Sequence, residues 1–171
     1  MRRMFTFALA VAATLIATAG PAAAAPPTNG GWVPAPTPPF DIAAGAVCDF
    51  AIHGEAVVDQ VVTKVVATFP DGSKKVELAK GALILRITDV ENGVARLEDG
   101  SGSGLFRFRP DGTFTVDVVG PLLIGFRDGA SNVPRGLYAL NGVYRIVFRP
   151  NGFRQLIMVH GTARNVCGDF A

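Results

Sequence analysis

The residues best suited to chemistry are the two histidines of the chain, His53 and His160, together with Glu55. An imidazole beside a carboxylate can exchange protons near neutral pH. Two imidazoles and a carboxylate can also ligate a metal ion. These three residues are therefore candidate catalytic residues, but only the fold can bring His160 to the other two. The sequence carries no metal-binding or cofactor-binding motif, so we predict neither a metal nor a cofactor.

The two cysteines, Cys48 and Cys167, stand near the two ends of the β-rich part of the chain. They lack the Cys-x-x-Cys spacing and the neighbouring basic residues of a metal or redox site. We therefore predict a structural disulfide. In the chain-entropy model, a loop of this length stabilises the fold by about 4–5 kcal/mol.

This disulfide suggests how the candidate catalytic residues could meet. If the strands around it run antiparallel with the cysteines opposite each other, Glu55 faces His160 and His53 faces Thr162. The alternative is a cross-strand pair on a solvated face. The register is an assumption, and one β-bulge would separate the set.

A further group of candidates consists of arginines that flank two Pro-x-Gly turns. If the hairpins that carry them are neighbours, the arginines form a stripe that can bind an anion or a polysaccharide. The alternative is the solvated face of two strands, with Asp111 and Asp117 offsetting the charge. The arginines are Arg107, Arg109, Arg145, Arg149 and Arg154.

Residues 1–24 are predicted to be an export signal. Arg2 and Arg3 precede an apolar run from Phe5 to Ile16, and small residues follow at positions 22–24. The run is too short to span a bilayer, so no membrane segment is expected after the signal is removed. Without the two arginines, the 16 Lys+Arg fall to 14, equal to the 14 Asp+Glu. This neutral balance argues against nucleic acid as a partner, and the signal predicts a secreted protein.

Residues 25–45 form a Pro-rich arm, a composition that favours extended backbone and is typical of a tether. Trp32 lies inside this arm. It either docks on the domain and ties the arm down, or belongs to a recognition segment for a partner, which makes it a candidate contact residue.

Residues 46–171 are predicted to form a single all-β domain. Apolar and polar side chains alternate as in antiparallel strands with one buried face. Turns of the type Pro-Asp-Gly or Pro-Asn-Gly recur every 40 residues, at Pro70, Pro110 and Pro150. Three such units are too few for a propeller. We predict an antiparallel meander that closes into a barrel of about eight strands, with a two-sheet β-sandwich as the alternative.

Additional turns and one ambiguous segment complete the predicted topology. Hairpin turns are predicted at Asn92-Gly93, Asp99-Gly100 and Asn141-Gly142. The segment 120–136 contains Leu122-Leu123-Ile124, and we favour a further strand there over a long loop or lid.

The pattern resembles a loose group of small secreted β proteins of actinobacteria, most of them uncharacterised. The resemblance is carried by the signal, a Pro-Asp-Gly hairpin, Gly120-Pro121 and the segment Gly-Thr-Ala-Arg-Asn-Val-Cys at 161–167. It implies secretion and a disulfide-closed β fold over residues 46–171. It implies no catalytic residue.

We therefore expect a secreted, non-catalytic binding or interaction module. As a monomer, it would hold a small apolar ligand in the barrel or fill the barrel with side chains. Two alternatives stay open: a barrel isomerase or cyclase using the histidines, and a cell-envelope structural or adhesion protein using the arm. The expected partner is thus a small molecule or an envelope component. Common hydrolase motifs such as Gly-x-Ser-x-Gly do not occur in the sequence, which makes an enzyme the weaker hypothesis.

Overall fold

The structure is a computed structural model that describes residues 31–170. The predicted export signal and the beginning of the Pro-rich arm lie outside the described residues. Within them the fold is all-β, as predicted, and ends in a 3₁₀ helix, Val166–Phe170. The strands are β1 (Val33–Pro34), β2 (Phe40–Ile42), β3 (Ile52–Asp59), β4 (Val62–Thr68), β5 (Lys74–Lys80), β6 (Leu83–Asp89), β7 (Ala95–Asp99), β8 (Ser103–Phe108), β9 (Phe114–Phe126), β10 (Gly136–Phe148) and β11 (Arg154–Asn165).

The strands form two antiparallel sheets. One sheet has seven strands in the order β1-β4-β5-β8-β9-β10-β11, and the other has four in the order β2-β3-β6-β7. The chain passes from one sheet to the other between β1 and β2, between β3 and β4, between β5 and β6, and between β7 and β8. Strands β9 to β11 stay in the larger sheet and have 12 or 13 residues, whereas the other strands have at most eight. The chain is thus an antiparallel meander in which some consecutive strands belong to different sheets.

The three Pro-x-Gly turns explain the 40-residue recurrence. They connect β4 to β5, β8 to β9 and β10 to β11, so antiparallel pairing places them at the same end of the larger sheet. In each turn the glycine has positive φ, which is 85° at Gly72, 80° at Gly112 and 83° at Gly152. The recurrence is therefore one upward and one downward passage of the meander, as predicted, and not a propeller blade.

A row of glycines bends the three long strands. Gly120, Gly142 and Gly161 are direct partners across β9, β10 and β11, and their φ values are 101°, 140° and 136°. A Cβ on Gly142 would collide with the carbonyl oxygen of His160. The hairpin predicted at Asn141-Gly142 is therefore wrong, because this glycine serves a bend inside a strand and not a turn.

The other predicted turns have mixed outcomes. Asn92-Gly93 connects β6 to β7, as predicted. Asp99-Gly100 is not a hairpin, since the chain crosses there from the smaller sheet to the larger one. Residues 120–126 continue β9, which confirms the predicted strand, whereas residues 127–135 form a loop before β10.

The expected closed barrel is wrong for the described residues, and the two-sheet alternative fits. The hydrogen-bonded order of the larger sheet ends at β1 and β11, and that of the smaller sheet ends at β2 and β7. The predicted disulfide between Cys48 and Cys167 is present, with Cα atoms 5.5 Å apart. Because Cys48 precedes β3 and Cys167 lies in the 3₁₀ helix, the bond holds the chain ends together without pairing their strands.

The core has two parts. One contains Ile52, Ile87 and Leu137 and includes the disulfide at Cys48. The other covers one face of the larger sheet, and its buried residues are Val116, Val118, Phe126, Leu140, Tyr144, Ile146 and Leu156. We call this second face the inner face and the opposite face of the same strands the outer face. Burial of each large apolar side chain contributes about 1.5–3 kcal/mol.

The Pro-rich arm is hydrogen-bonded to both sheets from Val33 onward. Its residues Val33 and Pro34 pair with β4 at the edge of the larger sheet. Phe40 to Ile42 then pair with β3 at the edge of the smaller sheet. Proline suits these positions because an edge strand can lack a backbone donor. This part of the arm therefore belongs to the folded domain and positions Trp32 against it.

Candidate functional site

The structure does not bring the candidate catalytic residues together. Strand β3, which carries His53 and Glu55, pairs with β2 and β6, whereas β11, which carries His160, pairs with β10. The assumed register is therefore wrong. The assumption failed because the two cysteines lie outside the strands that they were expected to align.

Each of these residues has a local partner instead. Nδ1 of His53 lies 2.7 Å from Oδ1 of Asp41 on β2. Glu55 accepts a hydrogen bond of 2.7 Å from Nη1 of Arg86. His160 lies opposite Val143. Among residues 31–170, no three His, Cys, Asp or Glu side chains are grouped so that they could hold a metal ion.

A large concave site lies on the outer face of the larger sheet. It is an open groove of about 670 Å³ that crosses β5, β8, β9, β10 and β11, and we call it the outer groove. Direct pairing places Leu78, Leu105, Asp117, Arg145 and Ile157 in one row across these strands. Directly paired side chains share a face of a sheet, so this row forms the floor of the groove.

The outer groove is mainly apolar although it faces solvent. Val119, Val143, Ile157 and Val159 line it and are all exposed, Val159 to 73%. Single exposed apolar side chains are common, but a contiguous group of them marks a binding surface. One feature of the sequence indicates this surface. Leu156 to Val159 is a run of four apolar residues in a strand with only one buried face.

Trp32 forms one end of the outer groove. The pairing of β1 with β4 holds it at the sheet edge. Nζ of Lys80 lies 4.5 Å from the centre of the indole ring, which is a cation–π contact. Trp32 is 41% exposed. Trp32 is thus docked on the domain and at the same time accessible to a ligand.

An ion-paired cluster lies on the same outer face. Asp117 accepts a hydrogen bond of 2.5 Å from Nε of Arg145 and a second one from Arg107. The bond from Arg145 lowers the pKa of Asp117; partial burial opposes this effect, and Arg107 adds to it. Asp117 in turn raises the pKa of Arg145. The prediction that Asp117 offsets the arginine charge agrees with this geometry.

The predicted arginine stripe is divided between different surroundings. Only Arg107 and Arg145 join Asp117 on the outer face. Arg149 and Arg109 lie in turns, and Cζ of Arg149 is 5.9 Å from the ring of Phe153. Asp111, the other expected counterion, accepts a hydrogen bond from the backbone N–H of Thr113 in its own turn. A continuous stripe is thus wrong, because β-strand alternation and turn geometry direct these side chains differently.

Arg154 has a structural role. Its Nη1 donates a hydrogen bond of 2.6 Å to the carbonyl oxygen of Gly125, and its guanidinium lies 5.5 Å from the ring of Phe148. Burial lowers its pKa, and the nearby charge of Arg127 adds to this shift. Arg154 therefore joins the end of β9 to β11 and is not part of the outer groove.

A smaller cavity lies on the inner face, and we call it the inner cavity. Its volume is about 250 Å³, and its lining is mostly apolar, with Phe106, Leu122 and Ile146 among its walls. Gly100, Gly102 and Gly104 form another side of it. These glycines allow a close approach of neighbouring chain, since a Cβ on Gly102 would collide with the carbonyl oxygen of Pro121.

No helical segment within residues 31–170 is long and apolar enough to cross a membrane. Comparisons of the chain with protein-family models, with curated proteins and with solved structures found no match. The resemblance to secreted proteins of actinobacteria therefore stays a prediction.

Proposed function

We propose that this protein is a non-catalytic binding module that takes a small apolar or amphipathic molecule in the outer groove. The observation that supports this proposal best is the groove itself, about 670 Å³ in volume and lined mainly by apolar side chains. Small-molecule sites typically have this size and combine apolar walls with a few convergent polar groups. Here the polar groups are Asp117, Arg145 and Lys80.

The exposed apolar side chains explain why a ligand would be retained. Val119, Val143, Ile157 and Val159 are in contact with solvent when the groove is empty. Each square ångström of apolar surface that a ligand covers contributes about 25 cal/mol. These side chains project from paired strands of one sheet, so little conformational entropy is lost when they are covered.

We further propose that the protein acts as a secreted monomer. The disulfide between Cys48 and Cys167 supports this placement, because such bonds persist in oxidising compartments. The N-terminal residues with the composition of an export signal support it independently. The partner is then an extracellular small molecule or a component of the cell envelope.

A titration with the neutral fluorescent probe N-phenyl-1-naphthylamine tests the binding site. Val119 lines the groove and is 62% exposed, and Leu97 on β7 lies outside it and is also 62% exposed. Val119→Gln is expected to weaken binding about tenfold, since it removes apolar contact, whereas Leu97→Gln leaves the affinity unchanged. Equal affinities in the wild type and both variants would show that the outer groove does not bind the probe.

The inner cavity is the second candidate site, because its lining is mostly apolar and it lies on the buried face of the larger sheet. Leu122 lines the inner cavity but not the outer groove. Leu122→Phe should narrow the cavity and weaken binding there without affecting the groove. If Leu122→Phe weakens probe binding and Val119→Gln does not, the ligand site is the inner cavity.

The alternative functions lead to different experiments. The isomerase or cyclase hypothesis required a shared site for His53, Glu55 and His160, which lie on strands that do not pair. An envelope protein would use Trp32 at the groove end. Trp32→Ala should then reduce binding to isolated cell walls, whereas Leu97→Gln, outside the groove, should leave it unchanged.

A further inference from the structure

We propose that the ligand of the outer groove is an anionic amphiphile, a medium- or long-chain carboxylate whose head binds Arg145 and whose chain extends toward Trp32. This inference rests on the proposed function and adds the chemical class of the ligand and its orientation. Three observations carry it: the charge of the outer face, the donors of Arg145, and the apolar path between Arg145 and Trp32.

The outer face has a surplus of positive charge around the groove. Lys64 lies directly opposite Leu78 and so shares its face. With Lys80, Arg107 and Arg145 it makes four cationic side chains, and Asp117 is the acidic side chain in the paired rows that cross the groove. A ligand that carries a negative charge is complementary to this surplus.

Arg145 has hydrogen-bond donors that Asp117 does not occupy. A guanidinium carries five N–H donors in a planar fork, and the hydrogen bond from Arg145 to Asp117 uses Nε. The two terminal nitrogens can therefore bind a further carboxylate in the bidentate manner that such groups favour. Asp117 balances one of its two arginine partners, so the second positive charge is available to the ligand.

An apolar path leads from Arg145 to Trp32. Val143 and Val119 are direct partners in the row beside Arg145, and Leu105 and Leu78 continue toward the strand that carries Lys80. From β10 to β5 the path crosses three strand spacings, which is about 14 Å. A chain of about ten or more methylene groups fits this path, and a short acid such as acetate would leave most of it uncovered.

The same charge argues against a second copy of the chain as the occupant. A symmetric dimer through this face would oppose identical surfaces. Both surfaces would then carry the same surplus of positive charge, and like charges brought together across an interface are unfavourable. A carboxylate amphiphile satisfies both the apolar path and the positive charge.

The experiment uses the fluorescence of Trp32, the single tryptophan of the chain, with calorimetry as an independent readout. The wild-type protein is titrated with dodecanoate and with 1-dodecanol, both below the concentrations at which they aggregate. We expect dodecanoate to bind at least tenfold more tightly than dodecanol. This difference should shrink at high salt because charge interactions on an open surface are screened.

A pair of matched variants assigns the carboxylate to Arg145. Arg145 and Arg86 are each 48% exposed and each is ion-paired to one carboxylate, but Arg86 lies on the smaller sheet. Arg145→Gln should weaken dodecanoate binding about tenfold, the loss of a charge-assisted hydrogen bond, and leave dodecanol binding unchanged. Arg86→Gln should change neither.

The outcomes separate this inference from the proposed function. Equal affinity for dodecanoate and dodecanol would overturn the anionic ligand and leave the apolar groove standing. Equal effects of Arg145→Gln and Arg86→Gln on dodecanoate binding would overturn the anionic ligand as well. Failure of dodecanoate, dodecanol and the neutral naphthylamine probe to bind would overturn both. Binding to phosphatidylglycerol vesicles without binding to dodecanoate would replace the carboxylate ligand with a membrane surface.

Discussion

The side-chain amide of Asn132 occupies both backbone hydrogen-bonding groups of Leu156. Nδ2 donates to the carbonyl oxygen of Leu156 at 2.9 Å, and Oδ1 accepts from its N–H at 2.7 Å. The backbone N–H of Arg154 also donates to the carbonyl oxygen of Ala130. The loop between β9 and β10 thus covers the beginning of the β11 edge, which would otherwise be open to another strand.

Asn132→Ala should therefore expose this part of the edge. Loss of two hydrogen bonds is expected to lower the free energy of unfolding by about 1–2 kcal/mol. The uncovered edge should also increase self-association, which light scattering on heating would detect. Asn132→Asp keeps the acceptor but not the donor, so it should be intermediate. A variant as stable and as monomeric as the wild type would contradict this role of Asn132.

The bend at the glycine row predicts a strong effect of one methyl group. Gly142 has a φ of 140°, and a Cβ there would strike the carbonyl oxygen of His160. Gly142→Ala should lower the free energy of unfolding by at least about 2 kcal/mol, measured by chemical denaturation. Gly168 has open space around it and no positive φ, so Gly168→Ala is the control and should be nearly neutral. Equal effects of the two substitutions would show that the bend does not depend on glycine.

The disulfide should contribute strongly to stability. Cys48 and Cys167 are 119 residues apart, so their bond restricts most of the unfolded domain. The double variant Cys48→Ala/Cys167→Ala is expected to lose about 3–5 kcal/mol in guanidinium unfolding. Wild-type protein reduced with dithiothreitol should unfold at a similar denaturant concentration. Unchanged midpoints in both experiments would show that the chain ends are held by packing alone.

The ion pairs of Asp117 predict an effect of pH. Its pKa is lowered from the ordinary value of 3.8, so its contribution to stability is complete above that value and is lost as the pH falls through the lower folded-state pKa. Asp117→Asn should be less stable than the wild type at pH 7, by less than about 1 kcal/mol because the pair is partly exposed. Urea unfolding of both proteins from pH 7 to pH 2 should show this difference disappearing below pH 4. A constant difference down to pH 2 would contradict the assignment.

Much of the architecture could be predicted from local patterns. Strand alternation, the turns at Pro70, Pro110 and Pro150, and the disulfide all agree with the structure. Alternation reports which side chains of one strand share a face, and a Pro-x-Gly turn requires only neighbouring residues. The hairpin predicted at Asn141-Gly142 was wrong because a glycine with positive φ can serve a bend within a strand as well as a turn.

The candidate site was harder to predict because it depends on which strands become neighbours. Asp117 was correctly expected to offset arginine charge, but its meeting with both Arg107 and Arg145 required the order β8-β9-β10. The position of Trp32 at the groove end required β1 to pair with β4. Neither pairing follows from the spacing of the residues along the chain.

The strands, the turns and the covalent link between the chain ends are thus properties of the sequence, because each arises from interactions over a few residues or from the presence of just two cysteines. The separation of His53 from His160, the division into two sheets and the apolar groove are properties of the tertiary structure. Their physical reason is that a strand can satisfy its backbone hydrogen bonds with any neighbour of suitable register. Burial of the whole core selects among these neighbours, and no single segment contains that information.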